Sequence, residues 1–432
     1  MTQRSDLQVV SLFSGCGGLD HGFKSAGYSV RFANDFDKFS CETLRLNGQE
    51  NVLHAPIEDV SASEIGKIIG TQPGACDVLI GGPPCQPFSK SAYWRTGDTL
   101  RLKDPRANTL EQYFRFVEDL QPHVFLLENV HGLNYNGKEE GFRFIMERIK
   151  EINHKAGLRY IPSWEVLNVA DYGAPQLRVR FFLVASRRGA PFRFPHPTHV
   201  ASQEVQLPLL GEMAMAPYVT AWEAIGGIAP SSKEKLRVGG KWADLLPSIP
   251  EGQNYLWHTD RRGGLPLFGW RARYWSFLLK LSKRLPSWTI QAQPGSAIGP
   301  FHWNNRKLSW QEMAAIQTFP NSFIIDAPRT EIQRQIGNAA PSLMAEVLAR
   351  EIAQQMFGGK FKNNPTLAVT RCGGVPEPEP VDPVPEKYLH LTGDHAAHPG
   401  VGKGRSYMRK KNPDNAMRPD GNFAALHSHP NP

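Results

Sequence analysis

LQVVSLFSGCGGLDHGFKSAGYSVRFAND, residues 7–35, decides the fold class of this chain. Leu7–Phe13 is apolar and β-branched, and it predicts a buried strand that runs into the turn SGCGG. A helix over Leu19–Ala26 and a second strand, YSVRFAND, follow. Strand, glycine turn, helix and strand in this order are typical of the start of a doubly wound α/β sheet.

The same alternation continues along the first half of the chain. Strands are predicted at 77–82 (DVLIGG), 123–129 (HVFLLEN) and 179–186 (VRFFLVAS), with helices over Thr109–Leu120 and Gly141–Asn153. Alternating strands and helices favour a mostly parallel sheet with helices on both faces.

Beyond Arg188 this alternation stops, and prolines, glycines and tryptophans become frequent. We predict a first domain over 1–186, an irregular region over 187–305 that forms a separate domain, and a helical return to the first domain over 306–358. The remainder, 359–432, is predicted to be a linker and a disordered basic tail, because VPEPEPVDPVPEK (375–387) is proline-rich. It lies outside every motif, so we expect residues beyond about Gly374 to be dispensable for activity.

Composition excludes several classes of protein. The 432 residues carry a formal charge of +8, which only slightly favours a nucleic-acid partner. Five cysteines without a CxxC pair argue against a disulfide framework or structural zinc. The histidine spacing fits no metal site, and no stretch is apolar and long enough for a signal peptide or a membrane span. We therefore expect a soluble, cytoplasmic protein that uses no metal.

The turn after the first strand is a candidate ligand site. Gly15 and Gly17 let the backbone approach a ligand, and helix amides there favour an anionic group. The turn is not GxGxxG, so a nucleoside that carries an amino acid fits as well as a phosphate. About 20 residues on, Asp35 could bind a ribose hydroxyl and Phe36 could cover an adenine ring. A helix cap and a core residue are the alternative interpretations.

A second candidate site follows the strand at 77–82. Pro83-Pro84-Cys85-Gln86 places a thiol on a loop just beyond the apolar run, where a ligand beside the sheet can reach it. A cysteine after two prolines is by itself usually inert. Its position in the predicted sheet is what makes it a candidate nucleophile.

Seven short motifs then occur in a recognisable order. They are FSGCGG (13–18), NDFD (34–37), GGPPCQPFS (81–89), ENV (128–130), QLRVR (176–180), RKLSWQEMAAIQTFP (306–320) and QIGNAAP (335–341). In order and rough spacing, from about Val9 to Ile352, they resemble the DNA cytosine-5 methyltransferase family of bacterial restriction-modification systems. The resemblance implies a Rossmann-like, S-adenosylmethionine-dependent methyltransferase sheet over 1–186 and a smaller, irregular target recognition domain over 187–305.

The resemblance also implies the chemistry. Cys85 would attack carbon 6 of cytosine, which lets carbon 5 take a methyl group from S-adenosylmethionine. Glu128 would hydrogen-bond the ring nitrogen in its protonated form, Arg180 would face the cytosine oxygen, and Arg178 would orient the loop. Because duplex DNA hides the ring, the base must be flipped out of the stack.

Further residues are assigned by the same resemblance. The cofactor residues implied are Phe13, Gly15, Gly17, Asp35, Phe36, Ile57, Pro84 and Asn338. The family's Asp-Ile pair is replaced here by Pro56-Ile57, so the acid for the adenine amine stays open, with Asp59 as one option. The DNA-binding residues implied or suggested by the basic, aromatic segment 255–284 are Gln86, Ser89, Ser91, Arg261, Arg262, Arg271 and Arg273.

These assignments imply a monomer that acts on double-stranded DNA, associated with the nucleoid through DNA, with a cognate restriction endonuclease encoded nearby. One alternative is a transfer-RNA cytosine methyltransferase, disfavoured by the large irregular region and the unaltered PPCQ motif. A second is a DNA-binding regulator that has lost catalysis. The joint presence of Cys85, Glu128, Arg178 and Arg180 argues against it.

Overall fold

The computed structural model describes residues 7–70, 72–84, 108–130, 140–201, 215–270, 274–371 and 373–395. The strands in these ranges are β1 (Gln8–Leu12), β2 (Ser29–Asp35), β3 (Val52–His54), β4 (Val78–Gly81), β5 (Val124–Val130), β6 (Ile161–Asn168), β7 (Gln176–Leu177), β8 (Val179–Ser186), β9 (His199–Val200), β10 (Ala216–Pro217) and β11 (Ser287–Trp288). The helices are α1 (Gly18–Ser25), α2 (Lys38–Leu46), α3 (Ala62–Ile69), α4 (Asn108–Leu120), α5 (Glu140–Ala156), α6 (Ala221–Ile225), α7 (Trp310–Ile316), α8 (Arg329–Asn338) and α9 (Ser342–Phe357).

Seven strands form one sheet in the order β3-β2-β1-β4-β5-β8-β6. Neighbours are parallel from β3 to β5, whereas β8 is antiparallel to both β5 and β6. The chain leaves β1 towards β2 and β3 and then crosses back to β4. Ligands of doubly wound sheets bind at such a reversal, beyond the carboxyl ends of the strands. The predicted doubly wound, mostly parallel fold is confirmed.

Hydrophobic clusters cover both faces of the sheet. One cluster joins the sheet to α3, α4 and α5, and the other joins it to α1 and α9. Helices α1 and α9 approach closely at Gly22, where an added Cβ would lie 2.4 Å from the Cβ of Ala345. Only glycine allows that contact, so the sequence fixes how tightly the last helix packs.

The predicted strand 179–186 has the observed bounds of β8, and the other predicted strands differ from β1, β2, β4 and β5 by one or two residues. The sequence analysis missed β6. This strand, IPSWEVLN, lies at the sheet edge and has mostly half-buried or exposed side chains. An edge strand with a proline and a charge lacks the continuous apolar run that marks buried strands.

The irregular region has little regular structure where it is described. Its strands β9, β10 and β11 have two residues each, and α6 has five. An aromatic cluster around Trp242, Tyr255, Phe268 and Phe277 forms its core. A third hydrophobic cluster joins residues 221–303 of the region to α7 and α8, across the predicted boundary at 305–306. The domain limits themselves stay a prediction.

The C-terminal strap, residues 377–391, packs on the irregular region. Tyr388 is buried in its aromatic core, and Val384 and Leu391 pack beside it. The proline-rich stretch therefore has defined contacts, although the sequence analysis predicted a linker here. Its few apolar residues are separated by prolines and glutamates, so they give no pattern that predicts packing. No helix in the part of the chain that the structure describes is long and apolar enough to cross a membrane.

Candidate active site

The glycine turn lies at the carboxyl end of β1, beside the reversal point of the sheet. Three of its residues have positive φ angles: Phe13 and Gly15 at 54° and Gly17 at 87°. The turn is anchored to the end of β2, since the Ser14 amide donates to the Asn34 carbonyl at 3.0 Å and the Gly15 amide to Asp35 Oδ2 at 2.8 Å. These hydrogen bonds to β2 therefore fix the backbone conformation of the turn.

Asp35 and Phe36 end β2 beside this turn. Asp35 Oδ1 accepts the Asp37 amide at 2.9 Å, so both carboxylate oxygens are fixed by backbone donors. Burial raises the pKa of Asp35, whereas the Asp37 and Gly15 amides oppose that shift. Phe36 is 65% exposed, which is unusual for a large apolar ring. An exposed ring beside a fixed carboxylate suits a nucleoside that stacks and hydrogen-bonds at once.

The end of α8 joins the same edge of the sheet. An added Cβ at Gly18, the first residue of α1, would lie 2.3 Å from the Ala340 carbonyl oxygen. The exposed Asn338, two residues earlier, is thereby brought close to the glycine turn. The return segment, residues 306–358, thus brings residues from late in the sequence to the same edge of the sheet.

Ile57 differs from the other candidate cofactor residues because it is buried. Its side chain is 4% exposed and belongs to the hydrophobic cluster under the sheet, and its carbonyl accepts a bond from Arg115 at 2.9 Å. Asp59, two residues on, is exposed. An adenine contact of Ile57 stays a prediction, as does the acid for the adenine amine.

The loop that leaves β4 is held at its first two residues. Asn129 Nδ2 donates to the Pro83 carbonyl at 3.2 Å, and Thr109 Oγ1 donates to the Pro84 carbonyl at 3.0 Å. Two elements thus fix the backbone just before Cys85. Cys85, Gln86, Ser89 and Ser91 lie outside the described residues.

Glu128 and Arg180 form an ion pair beside that loop, with Arg180 Nε 3.0 Å from Glu128 Oε1. In the β5–β8 register Glu128 lies opposite Phe182 and Val130 opposite Arg180, so the two side chains are diagonal neighbours on one face. Their side chains are 13% and 15% exposed. Burial raises the pKa of Glu128, and the charges of Arg180 and Arg178 oppose that shift.

Gly82 makes room for this carboxyl group, since an added Cβ there would lie 3.1 Å from Glu128 Oε2. A side chain at that position would displace either the loop or Glu128. The glycine before the two prolines therefore has a packing reason of its own.

Arg178 is completely buried, unlike its neighbour Arg180. Its guanidinium donates to the Gly337 carbonyl at 2.9 Å and, with a longer bond of 3.4 Å, to the Ile290 carbonyl. It therefore links the junction between β7 and β8 to α8 and to the irregular region. In this position the Arg178 side chain is enclosed, and its predicted role in orienting the loop stays a prediction.

Several residues with roles in the site were missed by the sequence analysis. Ser11 donates to Asp20 Oδ1 at 2.5 Å and lies 2.8 Å from the Ser14 hydroxyl, so a buried polar chain supports the glycine turn. Burial raises the pKa of Asp20 to about 6. Thr109 was missed as well. Single polar residues have no periodic pattern that would identify them in the sequence. Asn129, which binds the Pro83 carbonyl, could have been found because it lies inside the ENV motif.

The candidate DNA contacts that are described lie in the irregular region. Arg261 and Arg262 are exposed, and the Arg261 guanidinium stacks over the Trp270 ring at 4.1 Å. Arg271 and Arg273 lie outside the described residues. An exposed arginine held on an aromatic face is available for phosphate or base contacts.

Comparisons with known proteins identify the family of this chain. The family profile for the C-5 cytosine-specific DNA methylase matches residues 7–354. Type II methyltransferase M.SacI from Streptomyces achromogenes is 38% identical over 374 residues, which cover 81% of this chain and 94% of that protein. Type II methyltransferase M.NgoFVII from Neisseria gonorrhoeae is 34% identical over 350 residues, 80% of this chain and 86% of that protein.

Solved structures give the same fold. A candidate DNA modification methyltransferase encoded within an E. coli prophage superimposes with a TM-score of 0.54 at 24% identity, and the match covers 81% of this chain and 99% of that chain. At this identity the likeness concerns the fold alone.

Proposed function

The chain belongs to the C-5 cytosine-specific DNA methylase family, and from that premise we propose that it transfers a methyl group from S-adenosylmethionine to carbon 5 of a cytosine in a specific short sequence of double-stranded DNA. The observation that carries this proposal is the Glu128–Arg180 pair, which stands beside the anchored Pro83–Pro84 backbone at the reversal point of the sheet. A proton donor, a cation and the loop that leads to the thiol are thereby close together.

Glu128 is the residue proposed to hold the base. Burial favours its neutral, protonated form, which can donate to the ring nitrogen of cytosine. As that nitrogen gains the proton, carbon 6 becomes electrophilic and the Cys85 sulfur bonds to it. Arg180, already within 3.0 Å of Glu128, would face the cytosine oxygen and keep the carboxyl group oriented.

The remaining steps return the enzyme to its first state. With Cys85 bonded to carbon 6, carbon 5 becomes nucleophilic and would form a bond to the methyl group, while the bond from that methyl group to the sulfonium sulfur breaks and leaves a neutral thioether. A base then removes the proton from carbon 5, and the electron pair that is released expels the Cys85 sulfur from carbon 6. The ring nitrogen gives its proton back to Glu128, which restores the neutral carboxyl group.

The residues at the glycine turn fit the proposed methyl donor. When bound, S-adenosylmethionine supplies an electrophilic methyl group on a sulfonium. Phe36 would cover its adenine, Asp35 would accept from its ribose, and the open backbone of Gly15 and Gly17 would accept its amino-acid end. Asn338 and Pro84 would border the same site.

The irregular region is proposed as the target recognition domain. It presents the exposed Arg261 and Arg262, and Arg271 and Arg273 lie in the same segment of sequence. Gln86, Ser89 and Ser91 follow Cys85 directly and would contact the vacated base stack and the phosphates. We propose that a monomer acts on DNA beside a restriction endonuclease of the same specificity, in the cytoplasm.

The test is methylation of mixed-sequence, unmethylated DNA by purified protein with S-adenosylmethionine, followed by bisulfite sequencing. We expect protected cytosines in one short recurring context, which also identifies the target. Cys85→Ser is expected to lose this signal while S-adenosylmethionine binding stays intact.

Two outcomes would contradict the proposal. Labelled methyl groups on transfer RNA but not on DNA would support an RNA methyltransferase. Transfer to neither, together with sequence-specific DNA binding, would support a regulator without catalysis.

A further inference from the structure

The C-terminal strap contacts the irregular region at several points along its length. The Glu379 amide donates to Glu251 Oε1 at 2.8 Å, and the Asp382 amide donates to the Pro247 carbonyl at 3.2 Å. Lys387 forms an ion pair with Asp244. These contacts join residues that are more than a hundred positions apart in sequence, so the strap adds long-range order to a region that has little secondary structure.

The Lys283 ammonium is the centre of this contact. Its three acceptors are Glu251 Oε1 at 3.0 Å, the Glu377 carbonyl at 2.8 Å and Glu379 Oε1 at 2.8 Å. A lysine ammonium has three donors, so all of them are used, and two of the three acceptors belong to the strap. The Lys283 side chain is 2% exposed. Without the strap a buried charge would lose most of its partners, which is strongly destabilising.

Charges around Lys283 point the same way. Burial opposes its charge, but the hydrogen bonds that Lys283 donates to Glu379 and Glu251 raise the pKa of Lys283. Nearby, burial lowers the pKa of Lys280 to about 8, and Glu251, Asp382 and Glu379 act against that shift. The acidic residues of the strap therefore match two buried lysines of the irregular region.

Tyr388 provides the apolar half of the contact. Its ring stacks on Trp242 with centroids 5.6 Å apart and planes at 22°, and its hydroxyl donates to the Lys241 carbonyl at 2.6 Å. A buried aromatic ring in a cluster cannot be removed without leaving a cavity. The strap thus fills part of the core of the irregular region.

An acidic segment on basic residues could instead imitate DNA and block its binding. The burial of the Tyr388 ring argues against this interpretation, because a strap that DNA displaces would have to withdraw that ring from the aromatic core. Two ion pairs of the strap have the open geometry of displaceable contacts: Arg284–Glu377, with side chains 50% and 88% exposed, and Lys387–Asp244, with side chains 54% and 55% exposed. Most residues of the strap are exposed, and it is held in place by the buried Tyr388 ring and by its contacts with Lys283.

We propose that the C-terminal strap is a structural part of target recognition, and that Glu379 and Tyr388 are positioning residues that hold the irregular region in its DNA-binding conformation. This inference rests on the proposed function of that region. It replaces the expectation that residues beyond about Gly374 are dispensable, since the strap lies after that position.

The experiment compares the full chain with two truncated proteins, 1–395 and 1–374, which keep and lose the strap. We expect 1–395 to behave as the full chain. For 1–374 we expect the KM for DNA to rise at least about tenfold while the KM for S-adenosylmethionine stays within about twofold. Hydrogen exchange in residues 243–258 should become faster in 1–374 only, and a synthetic peptide of residues 375–395 should reverse both changes.

Two point variants test the same inference if the truncated protein 1–374 does not fold. Glu379→Ala removes an acceptor of the buried ammonium, whereas the matched control Glu377→Ala removes only the exposed partner of Arg284 and keeps the backbone carbonyl. We expect Glu379→Ala to raise the KM for DNA by about three- to tenfold and Glu377→Ala to change it by less than about twofold.

Three results would overturn the inference: unchanged exchange and DNA KM in 1–374, tighter DNA binding in 1–374, or equal effects of the two alanine variants. Tighter binding would identify the strap as a competitor of DNA. Absence of methylation by the full chain would contradict the proposed function instead, and hydrogen exchange in residues 243–258 would still decide the role of the strap.

Discussion

The sheet and the irregular region are ordered in different ways. In the sheet, Glu128 and Arg180 meet because the β5–β8 ladder sets their register, and many backbone bonds support that ladder. In the irregular region, Lys283 and Glu379 are 96 positions apart in sequence, and a hydrogen bond between their side chains joins them in place of a strand ladder. The sheet therefore places its side chains through the backbone, whereas the irregular region depends on a few buried side chains. Changes to single side chains should affect chemistry in the first and conformation in the second.

The largest expected effect tests the sheet side of this comparison. Glu128→Gln should lower kcat by about 10²–10⁴-fold, because the amide cannot transfer a proton to the ring nitrogen. DNA binding and the folded structure should be retained. Single-turnover methyl transfer measures the change, with Glu165→Gln on the exposed part of β6 as the control. A kcat close to that of the control would remove Glu128 from the mechanism.

Arg178 lies where the two regions join, so its replacement should affect both. Arg178→Lys should lower the free energy of unfolding by about 3–5 kcal/mol, since a lysine cannot keep the bonds to Gly337 and Ile290 together and each bond to a charged group contributes ~1.5–3 kcal/mol. Urea unfolding measures this change. The exposed Arg193→Lys is the control, and equal stability of the two variants would contradict the linking role.

Asp20 tests the support of the glycine turn through pH. Its pKa is about 6 in the folded protein because of burial, above its ordinary value of 3.8. The folded state thus holds a proton that the unfolded state releases, so this contribution to stability is complete below about pH 4 and is lost as pH rises through 6. Asp20→Asn should gain stability relative to the native protein between pH 4 and 7, by up to roughly 3 kcal/mol.

Urea unfolding of both proteins at pH 4, 5, 6 and 7 measures the difference. Asp326→Asn, at an exposed position after α7, is the matched control and should show no such trend. A difference between Asp20→Asn and the native protein that does not depend on pH would mean that Asp20 is ionised at no cost in the fold.

The smallest expected effect sharpens the other side of the comparison. Tyr388→Phe keeps the ring on Trp242 and removes only the hydroxyl bond to Lys241, which should lower local stability by about 1 kcal/mol. Hydrogen exchange should become faster in residues 243–258 and stay constant in β1, β4 and β5. Faster exchange throughout the sheet would show that the two regions unfold together.

How much the sequence could predict follows the same division. The strands of the sheet centre have continuous apolar runs, so β1, β4, β5 and β8 were placed within one or two residues. Gly15, Asp35 and Phe36 could be proposed because each follows or ends a predicted strand, whereas Glu128 was assigned through the ENV motif. The motif order supplied the family and the proposed role of each residue.

Contacts between distant side chains could not be predicted from the sequence. Nothing in local pattern pairs Ser11 with Asp20, or Lys283 with Glu379, because these residues meet only after the chain has packed. The burial of Arg178 was hidden for the same reason, since its partners are carbonyls of α8 and of the irregular region. The proline-rich composition of the strap predicted a linker, so the sequence did not identify Tyr388 as a core residue.

Under the proposed function, the strap makes the DNA-reading part of this protein discontinuous along the chain. A chimera that receives residues 187–305 from a related enzyme, but keeps its own C-terminus, would combine a core with a foreign Tyr388 and a foreign partner for Lys283. Exchange of specificity into this protein is therefore expected to require two separate segments to be transplanted together.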